Sequence, residues 1–205
     1  MPTGRFLAFE GIDGSGKSTQ ADRVAKGLQA HLTFEPGDTV LGAALRELLL
    51  HDFSSNPTSV AEALLMAADR AQHVETVIRP ELEAGRHVVT DRFNGSTLAY
   101  QGFGRGLDLA VLRNVLDFAT GGLEPDLTIV VDCDLETARV RSTGLKADRL
   151  EQLDPSFHAR VRDGFLRLAE ANASWVVIDG TQSLVDVAKA TNLAIAKHLG
   201  LEVMP

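Results

Sequence analysis

Gly11-Ile12-Asp13-Gly14-Ser15-Gly16-Lys17-Ser18 places a lysine and a hydroxyl directly behind three glycines, in the pattern GxxxxGK[ST]. The spacing suits one task, holding a polyphosphate. Glycines let the backbone approach the phosphate oxygens, and free N–H groups at a helix start hydrogen-bond them. Lys17 can reach the β- and γ-phosphates, and the Ser18 hydroxyl can ligate Mg²⁺. The alternative, a glycine-rich strand–helix turn without ligand, fits the context poorly. Phe6-Leu7-Ala8-Phe9 reads as a buried strand entering the loop. Ala21, Val24, Ala25 and Leu28 share one face of a helix leaving it.

Asp91-Arg92 follows the apolar run His87-Val88-Val89-Thr90. The carboxyl end of a parallel strand is where open α/β sheets bind ligands. There Asp91 can orient hydrated Mg²⁺, and Arg92 can clamp a phosphate through two parallel hydrogen bonds. Residues 142–152 hold Lys146, Asp148 and Arg149 and follow Arg139 and Arg141, a cationic cluster in an acidic chain. Such a segment can act as a lid that excludes water and brings charge to a transferring phosphoryl group. A solvated helix end with ion pairs is the competing reading for any single member. Periodicity alone assigns no role to Arg46 or Arg70.

These groups need a scaffold of strands alternating with helices. Strands are predicted at Arg5–Glu10, Thr33–Glu35, His87–Asp91, Leu127–Cys133 and Trp175–Asp179. Helices are predicted at Lys17–Ala30, Val40–Leu50, Ser59–Ala84, Gly95–Gly102, Leu109–Thr120, Leu135–Ser142, Pro155–Asn172 and Ser183–Leu199. Runs such as Thr128-Ile129-Val130-Val131 lack polar alternation, as expected of a parallel sheet covered on both faces. The fold class expected is therefore α/β: a three-layer P-loop sandwich in one domain spanning residues 1–205, with a loop at Ser54-Ser55-Asn56-Pro57.

A net charge of −8 argues against binding polymeric nucleic acid or a membrane surface. Met1-Pro2-Thr3-Gly4-Arg5 carries no apolar signal core, and Leu127–Val131 is too short to span a bilayer. The single Cys133 excludes an internal disulfide and fits a reducing compartment, the cytoplasm. Six scattered histidines show no zinc-site spacing.

The chain resembles the thymidylate kinases of bacteria. Phe9-Glu10-Gly11 through Ser18-Thr19-Gln20 looks like their P-loop, and Glu35-Pro36-Gly37-Asp38-Thr39 resembles their REPGGT segment. Ala68-Asp69-Arg70-Ala71-Gln72-His73 resembles the substrate-base helix. Asp91-Arg92-Phe93 with Ser96-Thr97-Leu98-Ala99-Tyr100-Gln101-Gly102 resembles the DRY…AYQG signature, the most specific of the matches. Asp148-Arg149-Leu150-Glu151 resembles the lid's DRxE.

The resemblance implies a five-stranded parallel sheet, a homodimer, and transfer of phosphate from MgATP to dTMP. It implies that Gly11 to Thr19, Arg141 and Thr181 bind ATP, with Gln182 near adenine. Ser18 and Asp91 would meet the metal, and Asp13 the acceptor's 3′-hydroxyl or the metal's water shell. Arg46 and Arg92 would hold the acceptor phosphate. Glu35, Pro36 and Ser96 would line the acceptor site. Arg70, Thr97 and Gln101 would meet thymine, and Tyr100 would crowd the sugar's 2′ position. Lys17, Arg92, Arg149 and Asp13 would serve catalysis.

Three positions depart from the family pattern. Phe34 and Asp38 replace the arginine and second glycine of REPGGT, and Met66 stands where an aromatic ring should stack on the base. Gly14 replaces an arginine of another subgroup, so the lid's Arg149 is expected to supply that charge. Alternatives left open are a P-loop kinase for another nucleoside or nucleotide, and a catalytically weak nucleotide-binding protein. No guanine-reading NKxD motif supports a GTPase.

Overall fold

The computed structural model describes residues 4–51, 56–143 and 147–204. Five strands form one parallel sheet: β1 (Phe6–Glu10), β2 (His31–Phe34), β3 (Val88–Asp91), β4 (Leu127–Asp132) and β5 (Trp175–Asp179), in the order β2-β3-β1-β4-β5. The helices are α1 (Lys17–Leu28), α2 (Val40–Leu50), α3 (Ser59–His73), α4 (Arg79–Glu83), α5 (Asn94–Thr97), α6 (Leu109–Thr120), α7 (Leu135–Arg141), α8 (Pro155–Glu170) and α9 (Leu184–Leu199). This is the expected α/β P-loop sandwich. Proline 57 and Asn56 lie in the expected loop; Ser54, Ser55 and the lid's Lys146 fall outside the described residues.

The sheet is apolar on both faces because β1, β3, β4 and β5 each serve two cores. Leu7 and Phe9 of β1, with Leu127, Ile129 and Val131 of β4, pack on Ala21, Val24 and Ala25 of α1 and on Val187, Ala194 and Ile195 of α9. The alternate residues Phe6 and Ala8 face a second core with Phe93 and Ile78, and Val130 faces Leu116, Phe165 and Leu168. Burial on this scale, at about 25 cal/mol per Å² of apolar surface, is what holds the loops in place.

Three elements differ from expectation. Strand β2 is His31–Phe34 rather than Thr33–Glu35, because its pairing runs in register from His31↔Val88 to Phe34↔Asp91. The expected helix Ser59–Ala84 continues from α3 through a π-helical stretch, Val74–Ile78, before α4. The expected helix Gly95–Gly102 is α5 followed by a π-helical stretch, Leu98–Gly104, closed by Arg105 N–H on the Tyr100 carbonyl at 2.9 Å.

The central strand β1 is flanked by β3 on one side and β4 on the other. Strand order reverses there, so a crevice opens beyond the carboxyl ends of these strands. The P-loop and Asp91-Arg92 both emerge at that edge.

Candidate active site

The P-loop closes onto α1 through Gly16, in left-handed backbone at φ 98°, and α1 begins at Lys17. No side chain caps α1. Its first N–H groups are therefore available to an anion. Gly14 lies at φ 79°, and a Cβ there would sit 2.3 Å from the Ala138 carbonyl of α7. Helix α7 thus forbids a side chain at position 14, which accounts for the missing arginine. Gly14, Ser15, Gly16, Lys17, Ser18 and Thr19 line one cavity with Arg141, Gly180 and Gln182. Arg141 is fixed there by donating from Nη1 to the Gly180 carbonyl at 2.8 Å. Thr181 instead turns its N–H and hydroxyl to Asp179, at 2.9 and 2.6 Å.

A second cavity lies across Asp13. Glu35, Pro36, Arg46, Met66, Arg70, Arg92, Ser96, Thr97, Tyr100 and Gln101 line it, closed at the top by Leu50 and the lid residues Asp148, Leu150 and Glu151. The structure thus gathers every residue expected at the acceptor site. Ser96, Thr97, Tyr100 and Gln101 share a face at spacings of one and four. Met66 and Arg70 share a face of α3.

Asp13 stands between the cavities. Its carboxylate accepts from Lys17 Nζ at 3.0 Å, from Tyr100 Oη at 3.0 Å, and from Arg92 Nη2. Burial alone would raise the Asp13 carboxyl, but Arg92 and Lys17 beside it hold it far below the carboxylate range. Burial disfavours charge on Arg92 too, yet Asp13, Tyr100, Asp91 and Glu10 keep it cationic. Arg92 adopts φ 76°, left-handed backbone that a non-glycine residue takes only when its surroundings impose it. Two contacts impose it: its N–H bonds the Phe9 carbonyl at 2.9 Å, and Nη1 bonds Ser96 Oγ at 3.0 Å.

Glu10, which the residue patterns did not single out, organises this turn. Fully buried, it accepts from the N–H groups of Phe93 and Ser96, both at 2.9 Å, and from the Ser96 hydroxyl at 2.6 Å. Burial pushes its carboxyl up to about 7, against the lowering effect of those donors and of Arg92. A carboxylate ending a fully buried strand was its signal in the sequence.

Arg70 is buried and held on three sides: Nε donates to Glu35 Oε2 at 2.7 Å, Nη1 to Thr97 Oγ1 at 2.9 Å, and Nη2 to the Phe93 carbonyl at 2.9 Å. Two of its five N–H groups remain for a ligand. Glu35 Oε1 meets His73 Nδ1 at 2.8 Å, and His73 Nε2 meets Thr33 Oγ1, which also bonds Asp38. Asp38, the residue replacing a glycine, therefore ends a polar chain that steadies Arg70. Phe34, the other replacement, lies with its ring centroid 5.8 Å from the Arg46 guanidinium carbon, and Arg46 Nη1 bonds the Pro36 carbonyl at 2.6 Å. An aromatic face there substitutes for a cation and favours Arg46.

Arg149, expected from its motif to bring charge to the phosphoryl group, has other partners in this structure. The lid arginine does not face the P-loop. It is buried, donating from Nε to the Leu49 carbonyl at 2.9 Å and from Nη2 to Glu62 Oε2 at 2.6 Å. Its N–H bonds the Leu50 carbonyl at 3.0 Å, so it satisfies the C-terminal carbonyls of α2. The fully buried Glu62 carboxylate is the opposite charge that holds Arg149 there.

Ser18 and Asp91 suit Mg²⁺ as hard oxygen donors, and Asp91 Oδ1 is buried without a hydrogen-bond partner. Among the described residues no cluster of three or more His, Cys, Asp or Glu could hold a metal unaided. An ion here would be shared with nucleotide phosphates.

A P-loop carrying its lysine beside a second, arginine-lined cavity defines a phosphotransferase acting between a polyphosphate donor and an anionic acceptor. The family model for thymidylate kinase matches residues 9–191. The chain is 48% identical to a thymidylate kinase of Synechococcus sp. (strain WH7803), over 97% of this chain and 98% of that protein. It is also 48% identical to one of Desulfovibrio desulfuricans, over 95% and 96% respectively. The crystal structure of thymidylate kinase from Ehrlichia chaffeensis superimposes with a TM-score of 0.74 at 33% identity, covering 93% of this chain and 97% of that one. The chain belongs to the thymidylate kinase family, the enzymes that phosphorylate dTMP to dTDP.

Proposed function

We propose that this chain transfers the γ-phosphoryl group of MgATP to dTMP, with ATP in the P-loop cavity and dTMP in the cavity across Asp13. The carrying observation is that Lys17 of the donor site and Arg92 of the acceptor site converge on one carboxylate, Asp13. A monophosphate has a second pKa near 6 and is largely dianionic at neutral pH, so it needs no general base. The obstacle is repulsion between two anions, and the site answers it with positioned cations in a water-poor crevice. Lys17 serves the transferring phosphoryl group, and Arg92 and Arg46 the acceptor phosphate. Bound Mg²⁺, held through Ser18 and Asp91, would neutralise charge on the β- and γ-phosphates. Asp13 orients Lys17 and Arg92, and Tyr100 packs where the sugar would lie. Gly11 to Thr19, Arg141 and the segment at Thr181 bind the nucleotide of ATP.

Base recognition follows from donor and acceptor polarity. Arg70 offers N–H donors, and Gln101 commits its amide nitrogen to Glu62, presenting its oxygen. Donor beside acceptor fits thymine, with O4 next to N3–H, and opposes cytosine, whose pattern is inverted. The whole chain, residues 1–205 with a lid at about 142–152, acts as one kinase unit in the cytoplasm, without nucleic-acid or membrane partners.

A homodimer is supported by apolar side chains exposed on neighbouring helices: Val60 and Leu64 on α3, and Val111 and Phe118 on α6, with Phe118 90% exposed. Light scattering tests the assembly. A coupled ADP-release assay against dTMP, dUMP, dCMP and dGMP tests the function. The expected order places dTMP first; a different best acceptor overturns the reading.

A further inference from the structure

Glu62 shares a face of α3 with Met66 and Arg70, at spacings of four, yet no substrate contact is assigned to it. It is fully buried, and its four carboxylate lone-pair sites are all used. Oε1 accepts from Gln101 Nε2 at 2.9 Å and Arg105 Nε at 3.1 Å. Oε2 accepts from Arg105 Nη2 at 2.9 Å and Arg149 Nη2 at 2.6 Å. Burial raises the carboxyl, and the hydrogen bonds of Arg105, Gln101 and Arg149 more than reverse this, keeping it ionised.

An ionised carboxylate only accepts. It therefore fixes which end of the Gln101 amide turns inward: nitrogen to Glu62, oxygen to the cavity. We propose that Glu62 is the specificity-positioning residue of the acceptor site, setting the polarity with which Gln101 reads the base. This rests on the assignment of that cavity to the thymine base. The same carboxylate holds Arg149, so the segment closing the cavity and the base-reading amide share one anchor.

The two guanidinium groups explain why an amide cannot replace Glu62. In Glu62→Gln the new side chain has one carbonyl, which Arg105 and Arg149 claim, and its NH₂ is left facing Gln101. Two NH₂ groups cannot pair. Gln101 relieves the clash by flipping, which presents its NH₂ to the cavity. The pattern then opposes thymine N3–H and suits cytosine N3. Selectivity between hydrogen-bonded partners depends on such pairing, because a mismatch leaves buried polar groups unsatisfied.

The test measures kcat/KM for dTMP and dCMP in the parent and Glu62→Gln proteins at saturating ATP. The expected result is a fall of at least about tenfold in the dTMP-to-dCMP ratio, carried by the KM for dTMP, with the KM for ATP unchanged. Equal losses for both acceptors, with the ratio preserved, would mean a merely structural role and overturn the proposal. Loss of dTMP preference in the parent protein itself would instead overturn the functional reading. Should Glu62→Gln fail to fold, the unmodified protein still decides. The Gln101 side-chain NH₂ resonances, assigned by their loss in Gln101→Met, should exchange slowly with solvent; rapid exchange would show that Glu62 does not hold the amide.

Discussion

Asp13 Oδ1 accepts hydrogen bonds from Lys17 Nζ and Arg92 Nη2 at once, joining the P-loop to the turn after β3. The two cations share a single anion. Phosphates arriving on either side meet charges already aimed at the line between the cavities, so little reorganisation is required. Lys17 is 5% exposed but belongs to the cavity wall rather than to an apolar core. Lys17→Ala leaves Asp13 paired with Arg92, so the fold should persist, with an unchanged circular-dichroism melt within a few degrees. Turnover should fall on the order of 10³-fold or more. Near-parent turnover by the folded variant would remove the phosphotransfer mechanism.

Arg149 behaves differently because its partners are Glu62 and the last carbonyls of α2. The segment around it is stiffened by a reciprocal cap: Asp148 Oδ1 accepts from Leu150 and Glu151 N–H at 2.8 and 2.9 Å, and Glu151 Oε2 accepts from Asp148 N–H at 3.1 Å. Leu150 and Glu151 then cover the acceptor cavity. Arg149→Ala should therefore raise the KM for dTMP about tenfold or more while lowering kcat less, because a contact that closes the cavity serves ground and transition states alike. The dTMP-to-dCMP ratio should hold, since Glu62 keeps Gln101 through its other oxygen. A loss confined to kcat would restore Arg149 to the phosphoryl group.

Much of this was legible in the residues. The sheet strands announced themselves as short runs without polar alternation, the P-loop and Asp91-Arg92 by type and spacing, and Tyr100-Gln101 only through the family resemblance. Edge strand β2 is harder to place, because three of its four residues are exposed or partly exposed and its ends are set by pairing with β3, a long-range event. Glu62 has no legible role in the sequence for a related reason, and Glu10 shows only as a carboxylate ending an apolar run. A carboxylate on an apolar face has meaning only when its partners, Gln101, Arg105 and Arg149 or Phe93 and Ser96, are known to surround it. The motif around Arg149 points to a catalytic cation, and its pairing with Glu62, 87 residues away, has no local trace in the sequence.

Glu10 makes stability depend on pH. Its carboxyl is raised from an ordinary 4.5 to about 7 in the folded protein. The folded state therefore favours the protonated acid. Its contribution is fully present below pH 4.5 and is lost as pH rises through about 7. The difference amounts to something on the order of 3 kcal/mol. Glu10→Gln stays neutral and escapes that loss. Denaturant titrations of both proteins should show the variant gaining on the parent between about pH 5 and about pH 8. A stability difference independent of pH would mean that the three donors from Phe93 and Ser96 already hold Glu10 ionised at ordinary values.

Met66 gives the most exposed expectation about substrate. It lines the acceptor cavity on the same helical face as Arg70, where an aromatic ring would stack on the base. Stacking of aromatic rings adds about 0.5–1.5 kcal/mol beyond burial. A thioether keeps the apolar area but is flexible and specifies shape less well. The hydrogen-bonding pair Arg70 and Gln101 remains, and such bonds discriminate more sharply than apolar contact. Hence dTMP should stay the preferred acceptor, with a smaller margin over dUMP than a ring-bearing relative shows, since only the thymine methyl separates the two. Met66→Phe should lower the KM for dTMP by roughly two- to tenfold and widen the margin over dUMP. The measurement is kcat/KM for both monophosphates in both proteins. A raised KM in Met66→Phe would show instead that Leu50 and Leu150, which close the same cavity, have packed inward and left the ring no room.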